Sequence, residues 1–134
     1  MIMRRIPMNA FQKGVYSILS TKQTTPVYDD VPEGAELPYV TIGAFTCKLN
    51  GAKHADISDI SLQLHIWSEY SGKMEVNEIA NDITAVLTAW AIDLSTDGFN
   101  VTKQDIDFFE AYPENSGGYH GILTFVSRIQ NLGV

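Results

Sequence analysis

The sequence predicts an α+β domain in which two helices pack on one face of a mostly antiparallel sheet, in the order α-β-β-β-α-β-β. Two segments carry apolar residues at helical spacing, and five others are extended, several with strand-like alternation. The chain has 134 residues, 45% of them hydrophobic, which suits one domain over residues 1–134. Helices and strands that do not alternate strictly favour a sheet with its helices on one side.

An apolar stripe with spacings of three and four predicts the first helix over residues 8–20. Asn9, with Gln12 three residues later, resembles a capping box at the start of this helix. Gly14 lies in the middle, where it costs up to ~1 kcal/mol relative to alanine but allows another segment to come close. The stripe consists of Phe11, Val15, Ile18 and Leu19.

Three extended segments follow the first helix. Residues 27–31 lie between two prolines, which keep the segment short, as expected for an edge strand. Residues 39–48 and 58–68 alternate in the manner of strands, and a hairpin is their natural pairing. The large aromatic side chains that this alternation places opposite the apolar stripes are Tyr39, Phe45 and Trp67.

The loop at the tip of this hairpin is longer than a tight turn requires. It is small and polar, which predicts a mobile segment. Its residues are Asn50, Gly51, Ala52, Lys53, His54, Ala55 and Asp56.

The second half of the chain contains the strongest helix signal, from Met74 to Trp90. Apolar residues recur there at spacings of three and four, and acidic residues crowd the first half, where the helix dipole favours them. Two strands follow, over residues 99–112 and 119–130. The last strand is apolar on both faces, so it is either central in the sheet or covered by another subunit.

Composition excludes several classes of protein. A net charge of −7 argues against a general nucleic-acid binder, which needs a basic face for the phosphates. Cys47 is the sole cysteine, which excludes an internal disulfide and a cysteine-built zinc site. No apolar run approaches the ~20 residues that cross a bilayer, and the first residues hold no apolar signal core. The expectation is an acidic protein made in a reducing cytoplasm, without membrane association.

We predict no catalytic, cofactor-binding or metal-binding residues. Phosphate-loop, dinucleotide and nucleophile-elbow motifs are absent from the sequence. The histidines are too far apart for a helical metal pair, and the paired aspartates have no neighbours that would complete a cation site or supply a nucleophile. The alternative hypothesis, a small acidic metal-binding enzyme, would use Asp29, Asp30, Asp105, Asp107, His54, His65 and His120.

Large apolar side chains also lie on strand faces that a small monomer would leave exposed to solvent. Phe108, Phe109 and Tyr112 put aromatic side chains on both sides of one strand, in addition to Tyr39, Phe45 and Trp67. A single helical layer covers only one face of a sheet, and exposed aromatic patches usually mark contacts with another protein. Coverage by loops and the first helix is the alternative. We therefore predict self-association through Tyr39, Phe45 and Trp67.

Two segments of the chain resemble a known family. Residues 37–43 (LPYVTIG) and 64–68 (LHIWS), followed by Ser71-Gly72 and an amphipathic helix, resemble the tail-completion proteins of long-tailed bacteriophages. That family includes the tail-to-head joining proteins, or tail terminators, of phages that infect Gram-positive bacteria. Residues 121–125 with Arg128 are similar to its final strand. The resemblance extends over most of the chain, with its pieces in the family's order.

The resemblance implies a structural virion protein with no catalysis and no cofactor. Such proteins are implied to form hexameric rings that close the head-proximal end of the tail tube and dock onto the head-completion (stopper) complex. The implied partners are further copies of the chain, the tail tube protein and the stopper, and the free chain is either monomeric or already a hexamer. Another neck or minor tail protein is the alternative within this class.

Two further expectations follow from such a ring. Residues 50–56 would be an arm that becomes ordered on meeting the tail tube or a neighbouring copy, provided that new contacts offset the entropy of ordering. Six copies that each carry −7 would let DNA pass through the channel without specific binding if the charge lined it, because an acidic surface repels phosphate.

Overall fold

A computed structural model describes residues 3–51 and 54–133 of the chain. Two helices and five strands follow one another in the predicted order, which confirms the α+β class. A short 3₁₀ turn, Ser95–Asp97, precedes the fourth strand. The elements are α1 (Met8–Lys22), β1 (Val27–Tyr28), β2 (Tyr39–Leu49), β3 (Asp56–Ser68), α2 (Met74–Ala89), β4 (Phe99–Pro113) and β5 (Tyr119–Asn131).

The five strands form one sheet in the order β1-β2-β3-β5-β4. Short β1 runs parallel to β2, and every other neighbouring pair is antiparallel. Because β5 lies between β3 and β4, its two apolar faces belong to a central strand, the first of the two explanations above. Neither described helix is long and apolar enough to span a membrane.

Both helices pack on the same face of the sheet, and the core lies between them and the strands. Every second side chain of β3, from Ile60 to Ile66, is buried against this layer. Phe11 of α1 stacks on Phe125 of β5, with ring centroids 5.7 Å apart. Gly14 permits a close approach, since a Cβ there would lie 2.9 Å from Cγ2 of Ile92. The apolar helix residues that are buried in this core are Phe11, Val15, Leu19, Val76, Ile79, Ala80, Ile83 and Leu87.

Arg5 anchors the segment before α1 to the end of the sheet. Its guanidinium donates hydrogen bonds to Asn131 Oδ1 and to the carbonyls of Asp97 and Gly98, and it lies 4.2 Å above the ring of Phe99. The α1 capping-box prediction is wrong, because Pro7 occupies the N-cap position and no side-chain cap bond forms. Instead, the backbone N–H of the first-turn residue Phe11 reaches the Pro7 carbonyl at 2.8 Å.

The predicted loop ends earlier than its sequence indicates. Asp56 is the first residue of β3 and only 3% exposed, so its assignment to an exposed arm is wrong. Its carboxylate accepts hydrogen bonds from the backbone N–H of Arg5 at 2.9 Å and from Asn131 Nδ2 at 3.1 Å. Both bonds reach Oδ2 and join Asp56 to the sheet, whereas Oδ1 is buried without a hydrogen-bond partner in the described residues.

The predicted outward position of Phe45 is also wrong. A β-bulge between Ile42 and Phe45 shifts the register of β2 against β3. Since the side-chain period of a strand is two, one extra residue moves all later side chains to the opposite face. Phe45 therefore lies on the helix side, 6.4 Å from the ring of Phe11.

Candidate interface on the open sheet face

The sheet face opposite the helices, here called the open face, carries a row of aromatic side chains at one end. Tyr39 of β2 pairs with Trp67 of β3, Trp67 with His120 of β5, and His120 with Tyr112 of β4. Residues that are paired directly across neighbouring strands project to the same face. These four side chains form the aromatic row.

Trp67 is held in this row by two of its neighbours. Its indole stacks on the imidazole of His120, with centroids 3.8 Å apart and an interplanar angle of 11°. Its Nε1 donates a hydrogen bond to Thr41 Oγ1 at 3.0 Å. Tyr112 meets His120 edge-on at 5.0 Å. The row is therefore rigid and partly covered by its own contacts, as expected of a preorganised binding surface.

A histidine pair lies beside Trp67. His65 Nδ1 and His120 Nε2 are 2.7 Å apart and share one hydrogen bond, while Glu114 Oε1 lies 2.9 Å from His120 Nδ1. When both rings are neutral, His120 Nδ1 donates to Glu114, so His120 Nε2 accepts from His65. Partial burial, with a smaller contribution from His120, lowers the pKa of His65 below its usual 6.5, because both disfavour the charged form.

Gly43 permits the close approach of His65. A Cβ at this position would lie 2.5 Å from both Cδ2 and Nε2 of the imidazole. The glycine of the LPYVTIG segment therefore provides the space in which His65 reaches His120.

The other end of the open face is charged and nearly balanced. Arg128 Nε donates to Asp59 Oδ1 at 2.8 Å. This bond lowers the pKa of the Asp59 carboxyl and raises that of the Arg128 guanidinium. By strand register the face carries three basic side chains and three acidic ones, so the excess negative charge lies elsewhere. The six are Lys48, Lys103, Arg128, Asp59, Asp105 and Glu110.

The structure brings together some of the predicted interface residues. Tyr39 and Trp67 meet on the open face as expected, whereas Phe45 and Asp56 do not belong to an exposed surface. Asn50, Gly51 and His54 are exposed at the far end of the hairpin from the aromatic row, and half-buried Ala55 directly precedes β3. Ala52 and Lys53 lie outside the described residues.

The sequence did not predict that His120 belongs to the aromatic row and to the histidine pair. His120 is only 6% exposed and contacts Trp67, His65, Tyr112 and Glu114. The strand alternation places His65 and Trp67 on one face of β3. Only the pairing of β3 with β5 brings His120 into contact with both residues, and no local sequence pattern predicts that pairing.

The residues of the alternative enzyme hypothesis are dispersed, apart from His65 and His120, which form the hydrogen-bonded pair described above. Asp29 and Asp30 follow β1 at one edge of the sheet, and Asp105 and Asp107 lie in β4 at the opposite edge. Within residues 3–51 and 54–133, no three histidine, cysteine, aspartate or glutamate side chains are grouped so that they could hold a metal ion. The geometry of these aspartates gives that hypothesis no support.

The chain is similar to known proteins both in its sequence and in its fold. A model of the family described as "Tail completion protein gp17" matches residues 15–130. A solved structure titled "Virion of native gene transfer agent (GTA) particle" contains a similar chain, with a TM-score of 0.80 and 18% identity. The match covers 92% of the present chain and 96% of the other, so the two share a fold. No curated protein sequence matches the chain.

Proposed function

The chain belongs to the tail completion protein gp17 family, and from this premise we propose that it closes the head-proximal end of a phage tail tube. Family membership makes it a structural, non-enzymatic protein of tail assembly in the virion, as the sequence motifs predicted. Our proposal adds that a ring of six copies sits at the end of the tube. This ring then joins the tail to the head-completion (stopper) complex.

The observation that carries the ring proposal is the open face of the sheet. Both helices cover the opposite face, while Phe108 and Tyr112 remain 50% and 39% exposed on strand positions that face away from the helices. Aromatic side chains in such positions are typical anchors of protein interfaces. In the proposed ring, neighbouring copies and adjoining virion proteins cover this face.

The hairpin tip is proposed as a contact to the tail tube or to a neighbouring copy. Exposed Asn50 donates from its backbone N–H to the Ile57 carbonyl at 2.7 Å and from Nδ2 to Asp59 Oδ2 at 2.8 Å. These two bonds hold Asn50 at the base of the hairpin. Replacing residues 51–55 with two glycines would shorten the tip while keeping Asp56 in β3. Heads and tails that still join normally with this variant would contradict the contact.

The distribution of charge supports a channel that does not bind DNA. The open face is balanced, whereas α2 presents Glu78 and Asp82 to solvent and the segment after it presents Asp93 and Asp97. A surface that grips DNA needs clustered basic residues, so neither surface suits phosphate binding. We propose that DNA passes through the ring without sequence-specific contacts.

Electron microscopy of particles assembled without this chain tests the proposed function. We expect abnormally long or headless tails, because a tube without its terminal ring lacks both an end and a docking surface. Supplying the chain from a plasmid is the control and should restore joined particles. Tails of normal length that are joined to heads in the absence of the chain would refute the proposal. Normal-length tails with a defect elsewhere in the neck would favour the alternative neck protein.

A further inference from the structure

Both edges of the five-stranded sheet are open in the described part of the chain. On one side, β1 pairs only with Val40 and Thr41 of β2, so β2 has no neighbour on that side over residues 42–49. On the other side, β4 forms the edge along all of its 15 residues. Proteins normally block long edges, because unpaired backbone groups pair readily with another strand. β4 is interrupted by bulges after Val101 and Ile106, but its residues 108–113 pair without interruption and leave a regular edge. The regular parts of the two edges therefore need an explanation.

Space lies beside the β2 edge where β1 ends. A cavity of about 590 Å³ opens there, lined among others by Tyr16 of α1, Tyr28 of β1 and Ile42 of β2. The short β1 thus leaves space beside Ile42, where the unpaired part of β2 begins, and an unpaired strand edge is the site at which another strand adds. Past the bulge that precedes Phe45, β2 pairs regularly with β3 over residues 45–49, which leaves a regular five-residue edge.

Strand direction fits pairing between the two edges of successive copies. From β2 through β3 and β5 to β4 every pairing is antiparallel, so β2 and β4 run in opposite directions. A β4 strand placed beside the β2 strand of another copy in a continued sheet would also pair antiparallel. This contact is head-to-tail, and head-to-tail contacts close into rings when the rotation allows.

Side chains at the two edges are complementary as well. Residues 42–49 of β2 contain one charged residue, Lys48, whereas β4 carries Asp105, Asp107 and Glu110 against Lys103. A basic edge opposite an acidic one favours this partner and disfavours the pairing of like edges. In a continued sheet, the exposed aromatics of β4 would also share a face with Tyr39 of β2.

We infer that β4 of one copy adds to the open edge of β2 in the next copy, so that the sheet continues from subunit to subunit around the ring. This inference rests on the proposed function, which supplies the ring but not its contact. The occupant of the β2 edge is thus a second copy of this chain. The aromatic side chains of Tyr112 and Phe108 then meet the open face of the neighbour at its β2 side.

Reversing charge at each edge tests the inference in particle assembly. An acidic-β2 variant carries Ala44→Glu and Lys48→Glu, and a basic-β4 variant carries Asp105→Lys and Asp107→Lys; all four side chains are exposed. Each variant alone places like charges across the contact, which disfavours it. We expect at least about a tenfold loss of joined particles for either one, since each 1.4 kcal/mol corresponds to a factor of ten.

Co-expression of the two variants should restore joining. In a ring of six in which the two variants alternate, every β4 edge meets a β2 edge of opposite charge. The control matched to the acidic-β2 variant is Lys73→Glu, just before α2, with Ala85→Glu on α2. It makes the same change in net charge at exposed positions away from both edges and should behave as wild type. Thermal melts of the purified variants confirm that each folds. Single variants that join particles like wild type, or a mixture no better than either alone, would overturn the inference. If particles join without the chain at all, the proposed function fails instead.

Discussion

Replacing Gly43 with alanine perturbs the histidine pair through a single methyl group. The new Cβ would lie 2.5 Å from the His65 ring and 3.2 Å from the Gln63 carbonyl oxygen, where carbon contacts normally lie at ~3.5–4.0 Å. His65 therefore has to move by roughly 1 Å, which breaks its hydrogen bond to His120. Overpacking of this kind costs about 1–3 kcal/mol, and the lost bond about 1 kcal/mol more.

The backbone itself does not oppose the substitution. Gly43 is not among the glycines with positive φ, so alanine there would by itself favour the strand by roughly 0.5–1 kcal/mol. We expect Gly43→Ala to lower the free energy of unfolding by about 1–3 kcal/mol overall. In a His65→Ala background the two closest atoms are gone, and only the Gln63 carbonyl oxygen, 3.2 Å away, remains tight against the methyl group. The same substitution should then be neutral or stabilising by up to about 1 kcal/mol.

Urea unfolding followed by circular dichroism and tryptophan fluorescence measures all four free energies. The double-mutant cycle isolates the contact between the methyl group and the imidazole, with an expected coupling of about 2 kcal/mol. Both backgrounds should unfold with similar m-values, which confirms that the transition is the same. An equal cost of Gly43→Ala with and without the His65 ring would refute the steric argument.

Three further predictions concern the core, the interface and pH. Trp67→Ala should weaken association between copies more than it lowers the melting temperature of the single chain. Phe45→Ala should instead destabilise the chain by about 3 kcal/mol, the lower end of the usual range because the ring is only half-buried. Sedimentation and melting distinguish the two effects, and a fully associating Trp67 variant would count against the interface. Ile83→Asp should abolish the cooperative melt, because it places an unpaired charge at a fully buried site. Because folding lowers the pKa of His65, its contribution to stability is complete above the unfolded pKa of about 6.5 and is lost as pH falls from that value through the lower folded pKa. His65→Asn should flatten the pH profile of the melting temperature, and an unchanged profile would show that His65 does not titrate as stated.

The sequence alone was sufficient for the elements and their order. Helical spacing in α2 and alternation in β3 are local patterns, and proline and glycine mark their ends, so the predicted bounds lie within a few residues of the observed ones. The family-like segments are local as well, which is why the membership could be recognised before the fold was known. The capping-box prediction for α1 failed because the same residue spacing also occurs where a helix begins at a different residue, here directly after Pro7.

The sheet face or the burial of an individual side chain depended on bulges and on distant partners, which no local sequence pattern contains. Alternation assumes an unbroken strand, so it assigned Phe45 to the wrong face once the bulge inserted an extra residue. The loop prediction treated Asp56 as exposed because its partners, Arg5 and Asn131, lie 51 and 75 residues away. A polar residue next to glycine and alanine is typical of a loop unless a distant segment buries it.

The sequence by itself therefore determined the helices and strands, the presence of an apolar side in each of them, and the motifs of the family. The tertiary structure decided which side chains meet across the sheet, above all His120 with Trp67 and His65. The physical reason is that strand register between distant segments is set by the packing of the whole core. The same packing leaves β2 and β4 as the two open edges, which neither strand specifies alone.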